Sequence, residues 1–223
     1  MPSRVFGGKG KTVKISEIFY SLQGESSYAG YPFAFVRTAG CPLHCAYCDS
    51  PYARQGGEEL TPAEVLARVR NFGFHPVLVT GGEPLAQPEV HDLIGLLLGE
   101  GRTVLLETGG SLPIEAVDPA VVRILDVKCP GSGQADRNWW PNLDCLRAQD
   151  EVKFVLCSEP DYLFSREVIA RHGLLGKCQV LLSAAQGYLS PRDLAAWILR
   201  DGLGVRLQIQ LHKYLWPEIS RGV

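Results

Sequence analysis

The chain has 223 residues and a formal net charge of −2, with 46% hydrophobic and 21% charged residues. This composition predicts one soluble globular domain over residues 1–223, with a lead at residues 1–11 that is expected to be flexible. Nucleic-acid binding is disfavoured, because no basic stripe follows any predicted helix. No apolar run reaches the roughly 20 residues of a membrane span, and the lead lacks a signal-peptide core. Seven cysteines without a need for disulfides suit a reducing compartment, so the cytoplasm is the expected location.

Strands and helices alternate along the chain. Apolar alternation or short apolar runs predict strands at residues 13–20, 33–38, 76–80, 103–106, 122–127, 152–156, 179–182 and 205–209. Helices are predicted to begin near Thr61, Pro88, Ser158 and Ser190, and the first of these has an N-cap, a proline at the next position and a capping-box glutamate. Residues 113–117 are predicted as a short helix and residues 139–146 as an irregular connection.

This alternation indicates a parallel sheet with right-handed crossovers. A closed eight-unit barrel takes about 250 residues, and only about six units are present here, so the predicted fold is an α/β partial (open) TIM-like barrel. Chemistry in such folds gathers at the carboxyl ends of the strands. Polar side chains recur at those ends, which predicts a site there: Arg37, Thr80, Glu83, Glu107, Asp126, Lys128, Ser183, Gln208, Gln210, His212 and Lys213.

Three cysteines, Cys41, Cys45 and Cys48, follow the second predicted strand in a loop that turns at Gly40 and Pro42. Thiolates at this spacing can converge on one metal centre. A zinc ion would need a fourth ligand from His44 or a remote cysteine, whereas an iron–sulfur cluster held by three cysteines would leave one iron open to a small molecule. The spacing leaves both readings open. The remote cysteines are expected to be buried apolar residues: Cys129, Cys145, Cys157 and Cys178.

The pattern Cys41-x-x-x-Cys45-x-x-Cys48, with Tyr47 before the last cysteine, resembles the signature of the radical S-adenosylmethionine (SAM) superfamily. The segment at residues 81–84, Gly-Gly-Glu-Pro, is similar to the superfamily segment that meets the SAM amino group. The resemblance implies a [4Fe-4S] cluster on the three cysteines, with SAM chelating the open iron.

Further segments resemble one family of that superfamily, the 7-carboxy-7-deazaguanine synthases. They lie at residues 17–25, 35–41, 48–50, 79–84, 126–128 and 210–213. The resemblance implies a lyase that converts 6-carboxy-5,6,7,8-tetrahydropterin to 7-carboxy-7-deazaguanine and ammonia, in the biosynthesis of 7-deazapurines such as the queuosine precursor. A 5'-deoxyadenosyl radical abstracts a ring hydrogen, the ring contracts, and SAM is re-formed. Mg2+ is also implied.

Individual roles follow from the same resemblance. The three cysteines hold the cluster and count as catalytic together with Arg37, whose paired N–H donors suit a carboxylate. Cofactor contacts are expected from Tyr47, Cys48, Asp49, Gly82, Glu83, Glu107 and Lys128. Substrate contacts are expected from Leu22, Gln23, Gly24, Glu25, Arg37, Thr80 and His212. Ser50 stands at the Mg2+ position, where the family usually has threonine, and its hydroxyl is a hard oxygen ligand.

Two segments have no counterpart in these motifs. The chain continues past Lys213 to Val223, and the connection after Cys129 contains Trp139-Trp140, an aromatic pair that suits a homodimer interface. The expected partners are the pterin substrate, a reductant protein such as flavodoxin or ferredoxin, and a second copy of the chain. Two alternatives stay open: a radical SAM protein that activates a glycyl-radical enzyme, and a zinc-stabilised binding module without catalysis.

Overall fold

A computed structural model of the protein describes residues 11–223, so the predicted flexible lead lies outside the described range except for Lys11. Within residues 11–223, nine strands form one sheet in the order β3-β1-β2-β4-β5-β6-β7-β8-β9. The strands are β1 (Val13–Leu22), β2 (Pro32–Thr38), β3 (Glu58–Leu60), β4 (Val77–Gly81), β5 (Val104–Thr108), β6 (Val122–Lys128), β7 (Glu151–Leu156), β8 (Gln179–Ala184) and β9 (Arg206–Gln208).

The sheet is mainly parallel and stays open. Strand β1 runs antiparallel to both β2 and β3, whereas all pairs from β2 through β9 are parallel. The edge strands β3 and β9 lie at opposite ends of the strand order. This architecture confirms the predicted partial barrel.

In the described part of the chain, five α-helices connect or follow the strands: α1 (Pro62–Arg70), α2 (Val90–Gly99), α3 (Glu159–His172), α4 (Pro191–Arg200) and α5 (Leu211–Leu215). The capping box at Thr61 forms as predicted, since Thr61 Oγ1 accepts from the Glu64 N–H and the Glu64 carboxylate accepts from the Thr61 N–H. Among residues 11–223, no helix combines the length and apolar character needed to cross a membrane.

The two faces of the sheet divide the core. In β4, Val77 and Val79 belong to the large outer cluster with the helices, whereas Leu78 belongs to an inner cluster with Phe19, Phe33, Phe35, Leu105 and Ile124. Because side chains alternate along a strand, the next inward position after Leu78 is Thr80, near the carboxyl end. Apolar residues therefore fill the inner face near the amino ends of the parallel strands, and polar residues occupy it at the opposite end.

The predicted helix at residues 113–117 was wrong, because this stretch forms turns. The Ile114 N–H donates to Asn142 Oδ1 at 3.0 Å and the Ile114 carbonyl accepts from the Val117 N–H at 3.1 Å, so the segment is tied to the following connection and closes a single turn. That connection, predicted as irregular, contains a short 3-10 helix at Trp140–Asp144. Strand β3 and helix α5 were absent from the predictions; they span three and five residues, which is too short for a periodic signal.

A buried ion pair ties β6 to the turn before β7. Asp150 accepts hydrogen bonds from the Arg123 guanidinium, from the Arg123 N–H at 3.0 Å and from the Arg147 N–H at 2.8 Å. Its side chain is 0% exposed and that of Arg123 is 2% exposed. Removing one member of such a pair strands the other charge in the core.

Asp150→Ala should therefore lower the free energy of unfolding by about 3–5 kcal/mol. Urea denaturation would measure the change. The matched control is Glu167→Ala, which removes an ion pair with Arg171 that is more than 60% exposed on both sides; it should cost less than about 1 kcal/mol. Equal losses in the two variants would contradict the assigned role of Asp150.

Candidate active site

A cavity of about 570 Å³ opens at the carboxyl ends of the parallel strands. Its walls include the three cysteines of the loop and every other residue given a role from the sequence except Glu83: Leu22, Gln23, Gly24, Glu25, Arg37, Tyr47, Asp49, Ser50, Thr80, Gly82, Glu107, Lys128 and His212. The fold thus brings residues separated by up to 190 positions into one place. The sequence could only predict the shared sheet edge, not the shared cavity.

The cysteine loop is anchored on the end of β4 by close backbone contacts. The Gly82 N–H donates to the Thr38 carbonyl at 3.0 Å, and the Glu83 N–H donates to the Gly40 carbonyl at 2.8 Å. Gly40 has φ +92°, a left-handed conformation that favours glycine. A Cβ atom on Gly82 would lie 2.1 Å from the Gly40 carbonyl oxygen. The two glycines therefore let the loop and the strand end approach each other.

Gly82→Ala is expected to displace the cysteine loop from the end of β4, because the added methyl group overlaps the Gly40 carbonyl oxygen. SAM affinity of the reconstituted protein should fall at least ~10-fold, equivalent to 1.4 kcal/mol, while circular dichroism stays unchanged. Equilibrium dialysis with labelled SAM measures the loss. The control is Gly95→Ala, since a Cβ at Gly95 in α2 meets nothing within 4 Å. Unchanged SAM affinity in Gly82→Ala would contradict the close approach.

Glu83 stabilises the turn after β4 through hydrogen bonds to its side chain. Its side chain is fully buried and accepts from the Leu85 N–H at 3.0 Å, the Thr108 hydroxyl at 2.9 Å and the Gly109 N–H at 2.8 Å. These bonds join the segment after β4 to the end of β5. The geometry thus gives Glu83 a positioning role, and the predicted direct contact with a cofactor has no support from it.

A structural zinc ion would need a fourth ligand beside the three thiols of the loop. Within residues 11–223, the three potential metal ligands whose donor atoms all lie within 4.8 Å of one another are Glu25, Asp49 and His212, and this set contains no cysteine. The loop offers three free thiols that line one cavity, which fits an iron–sulfur cluster held by three cysteines.

The environment of the thiols disfavours their free thiolate form. Burial raises the pKa of both Cys41 and Cys45, and the ammonium group of Lys128 partly opposes this rise. Free thiols there stay protonated at neutral pH, and a bound metal would have to displace the protons. Lys128 is held in place by Asp126 at 2.8 Å.

A second group of charges forms the floor of the cavity on the other side. Lys153, in the middle of β7, contacts the carboxylates of Glu25 at 2.7 Å, Asp126 at 3.7 Å and Glu107. Burial alone would raise the pKa of Glu25, but the charge of Lys153 and hydrogen bonds from Lys153 and Gln210 lower it to about 2. Glu25 is therefore ionised at neutral pH and paired with the Lys153 ammonium group.

The residues of the predicted 21–26 turn meet the end of the chain. The Leu211 N–H donates to the Gly24 carbonyl at 2.9 Å, and Gln210 Nε2 donates to the Glu25 carboxylate at 2.7 Å. A Cβ on Gly24 would lie 2.1 Å from His212 Nδ1, so the imidazole rests directly on this glycine. His212 was predicted at a strand end, and it lies on helix α5 instead.

Lys153 and Tyr52 are two cavity residues that the sequence reading missed. Lys153 lies within a strand that is otherwise apolar from Val152 to Leu156, and a lysine at an inward position of a buried strand is itself a signal. Tyr52 follows the cysteine loop in a short 3-10 helix at Pro51–Arg54. Nothing in its local sequence predicts its contact with Glu17 in β1, which is 35 positions away.

Comparison with known proteins agrees with the geometry of this cavity. A profile of the radical SAM superfamily matches residues 35–125, which include the cysteine loop and the segment after β4. The crystal structure of QueE from Escherichia coli superposes with a TM-score of 0.74 at 22% identity, covering 90% of this chain and 95% of that one. Streptococcus suis SuiB, bound to S-adenosylmethionine, superposes with a TM-score of 0.54 at 11% identity, covering 83% of this chain and 48% of that one. The fold and the cysteine loop define a radical SAM protein.

Relatives that match this chain over most of its length identify one family within the radical SAM superfamily. The chain is 49% identical to a 7-carboxy-7-deazaguanine synthase from Chlorobaculum tepidum, over 95% of this chain and 97% of the relative. It is 41% identical to one from Koribacter versatilis, over 95% of this chain and 100% of the relative, and 40% identical to one from Methanospirillum hungatei, over 91% and 85%. The chain belongs to the 7-carboxy-7-deazaguanine synthase family.

Proposed function

We propose that the protein converts 6-carboxy-5,6,7,8-tetrahydropterin to 7-carboxy-7-deazaguanine and ammonia by radical chemistry that starts from SAM. The observation that carries this proposal is the shared cavity. Its walls combine a three-cysteine loop with a floor of acidic and basic side chains at the same strand ends. A radical generator and a polar substrate can therefore meet there without passing through solvent.

The cysteine side of the cavity fits a [4Fe-4S] cluster and SAM. Cys41, Cys45 and Cys48 supply three thiols, all free and all facing one cavity. Bound there, the cluster and SAM supply a 5'-deoxyadenosyl radical. Gly82 lines this side of the cavity, and its backbone is proposed to meet the amino-acid end of SAM. Tyr47, Asp49, Glu107 and Lys128 are proposed as further contacts of the cofactor.

The opposite side fits the pterin. Arg37 binds the carboxylate through its terminal amino groups, because its Nε already donates to Glu17 at 2.7 Å. Glu25 stays ionised and accepts hydrogen bonds from N–H groups of the ring. Burial lowers the pKa of His212, so its imidazole is neutral at neutral pH and presents one ring nitrogen to the substrate. Thr80 and the segment at residues 22–24 complete this side.

Mg2+ is proposed at Ser50, together with Asp49. Ser50 Oγ lies 3.1 Å from Asp49 Oδ1, and hydroxyl and carboxylate oxygens are the hard ligands that Mg2+ prefers. Asp49 Oδ also belongs to the group of three donor atoms with Glu25 and His212. The ion would thus lie between the cofactor side and the substrate side of the cavity.

The proposal extends to the protein's partners. A reductant protein such as flavodoxin or ferredoxin would supply electrons in the cytoplasm. A homodimer is proposed through Trp139 and Trp140, which are 49% and 38% exposed; Trp140 stacks on His172 with ring centroids 5.9 Å apart. Exposed tryptophans of this kind are enriched at interfaces.

The test is to reconstitute the protein anaerobically and incubate it with SAM, a reductant, Mg2+ and 6-carboxytetrahydropterin. The expected result is 7-carboxy-7-deazaguanine, detected by mass. A cluster that cleaves SAM without forming this product would overturn the substrate assignment and favour a glycyl-radical-activating enzyme. Stoichiometric zinc without visible absorption would favour the binding module instead.

A further inference from the structure

The last residues of the chain form part of the cavity wall. After α5, five residues of the segment 216–223 line the cavity: Trp216, Pro217, Ile219, Ser220 and Val223. At one end the segment is fixed through α5, whose Leu211 N–H donates to the Gly24 carbonyl at 2.9 Å. At the other end the Arg221 guanidinium lies over the Tyr52 ring, 4.2 Å from its centroid. The segment therefore links the β9 side of the cavity to the cysteine-loop side, and we call it the C-terminal cover.

Tyr52 connects this cover to a residue proposed to bind substrate. Its hydroxyl donates to Glu17 Oε1 at 2.7 Å, and the same oxygen accepts from Arg37 Nε at 2.7 Å. Glu17 and Arg37 are direct partners across the β1–β2 ladder, and both side chains are 15% exposed. Burial raises the pKa of Tyr52 to about 12, so its hydroxyl remains a donor at any physiological pH.

These contacts fix the orientation of the Arg37 guanidinium group. A guanidinium has donors on Nε and on both terminal nitrogens, and it recognises a carboxylate best through two parallel N–H bonds. The bond to Glu17 occupies Nε, which leaves the two terminal nitrogens for a ligand in the cavity. Because Tyr52 and Arg37 share one oxygen of Glu17, the Tyr52 hydroxyl restricts the position of the carboxylate that orients the guanidinium.

We infer that Glu17, Tyr52 and Arg221 are positioning residues that couple the seating of the C-terminal cover to the orientation of Arg37 toward the carboxylate of the substrate. The inference rests on the proposed function, since it needs a carboxylated pterin in the cavity. It assigns a role to a part of the chain that the sequence motifs leave unexplained. Arg221 contributes through the Tyr52 ring, a contact that strengthens as substrate excludes water from the cavity mouth.

The test compares ligands with and without the carboxylate. Tyr52→Phe keeps the ring under Arg221 and removes only the bond to Glu17; it should weaken binding of 6-carboxytetrahydropterin roughly 10- to 100-fold. Arg221→Gln should weaken it roughly 3- to 10-fold, and Arg221→Lys should recover part of that loss. Tetrahydropterin without the carboxylate should bind to all of these variants as it binds to the wild type, and SAM affinity should not change.

The control is Tyr214→Phe, because Tyr214 is 80% exposed on α5 and should tolerate the change with either ligand. An equal loss for both pterins in Tyr52→Phe would show a general structural effect and overturn the inference. So would wild-type affinity for the carboxylated pterin in both Tyr52→Phe and Arg221→Gln. Failure of the wild type to bind the carboxylated pterin would contradict the proposed function and the inference together. Normal turnover by the wild type, with wild-type affinity for the carboxylated pterin in the variants, would contradict the inference alone.

Discussion

Cys45→Ala is expected to lose the cluster and all turnover. Three thiols face one cavity from the loop, and a [4Fe-4S] cluster that already relies on three cysteines cannot be held stably by two. Iron and sulfide content and visible absorption after anaerobic reconstitution should fall to the background level. SAM cleavage should disappear as well, because no cluster iron remains for the amino and carboxylate groups of SAM to chelate.

The matched control for this loss is Cys157→Ala. Cys157 follows β7 and is half-buried, and burial raises the pKa of its thiol to about 11, so it is a protonated structural thiol. This variant should keep full iron content and activity. If Cys157→Ala lost the cluster as well, or if Cys45→Ala kept it, the assignment of the three ligands would be wrong.

Lys153→Met is expected to be the most damaging change on the substrate side. The ammonium group contacts Glu25, Glu107 and Asp126, and a neutral side chain would leave three carboxylates facing one another. Loss of the central charge from such a buried network should cost about 3–5 kcal/mol of unfolding free energy. Substrate binding should be lost with it, because Glu25 would no longer be held in its ionised form.

The stability of the Lys153→Met variant should also depend on pH in a definite direction. In the wild type the pKa of Glu25 is lowered to about 2, so its contribution to stability is present above the unfolded pKa and is lost as pH falls through that low value. Without Lys153, burial and the neighbouring carboxylates raise the pKa of Glu25. A carboxyl group with a raised pKa stabilises the fold at low pH and loses that contribution as pH rises. As pH falls from about 7 to about 5, the variant should therefore gain more stability than the wild type does.

Urea denaturation at the two pH values measures this difference. Lys153→Arg keeps a cation at the position and should retain most of the stability at neutral pH. The double variant Lys153→Met with Glu107→Gln removes one of the stranded charges and should recover part of the lost stability without recovering activity. A Lys153→Met protein that unfolds like the wild type at both pH values would show that the network contributes little.

The sequence predicted the strand-rich α/β framework because its signals are local. In β4, an apolar run ends in Thr80-Gly81, and at Thr61 a complete capping box sits before a periodic helix; each pattern needs only neighbouring residues. The cysteine spacing was equally local, yet by itself it left zinc and a cluster open. Resemblance resolved that choice, and the match to the radical SAM profile and to known relatives supports it.

What the sequence could not show depends on contacts across the fold. Lys153 is 128 positions from Glu25, and Tyr52 is 35 from Glu17, so no window of the chain contains either pair. Local sequence patterns therefore failed where the structure depends on hydrogen bonds and ion pairs between residues that are distant in sequence.

The central claim is that the radical and the substrate meet in one cavity. It is tested most directly by incubating the reconstituted protein with ring-deuterated 6-carboxytetrahydropterin and recovering the SAM after several turnovers. Transfer of a ring hydrogen to the 5'-deoxyadenosyl group, followed by re-formation of SAM, predicts deuterium in the recovered SAM and none in SAM from Cys45→Ala. Product formation with unlabelled SAM, or SAM cleavage without label, would contradict the account.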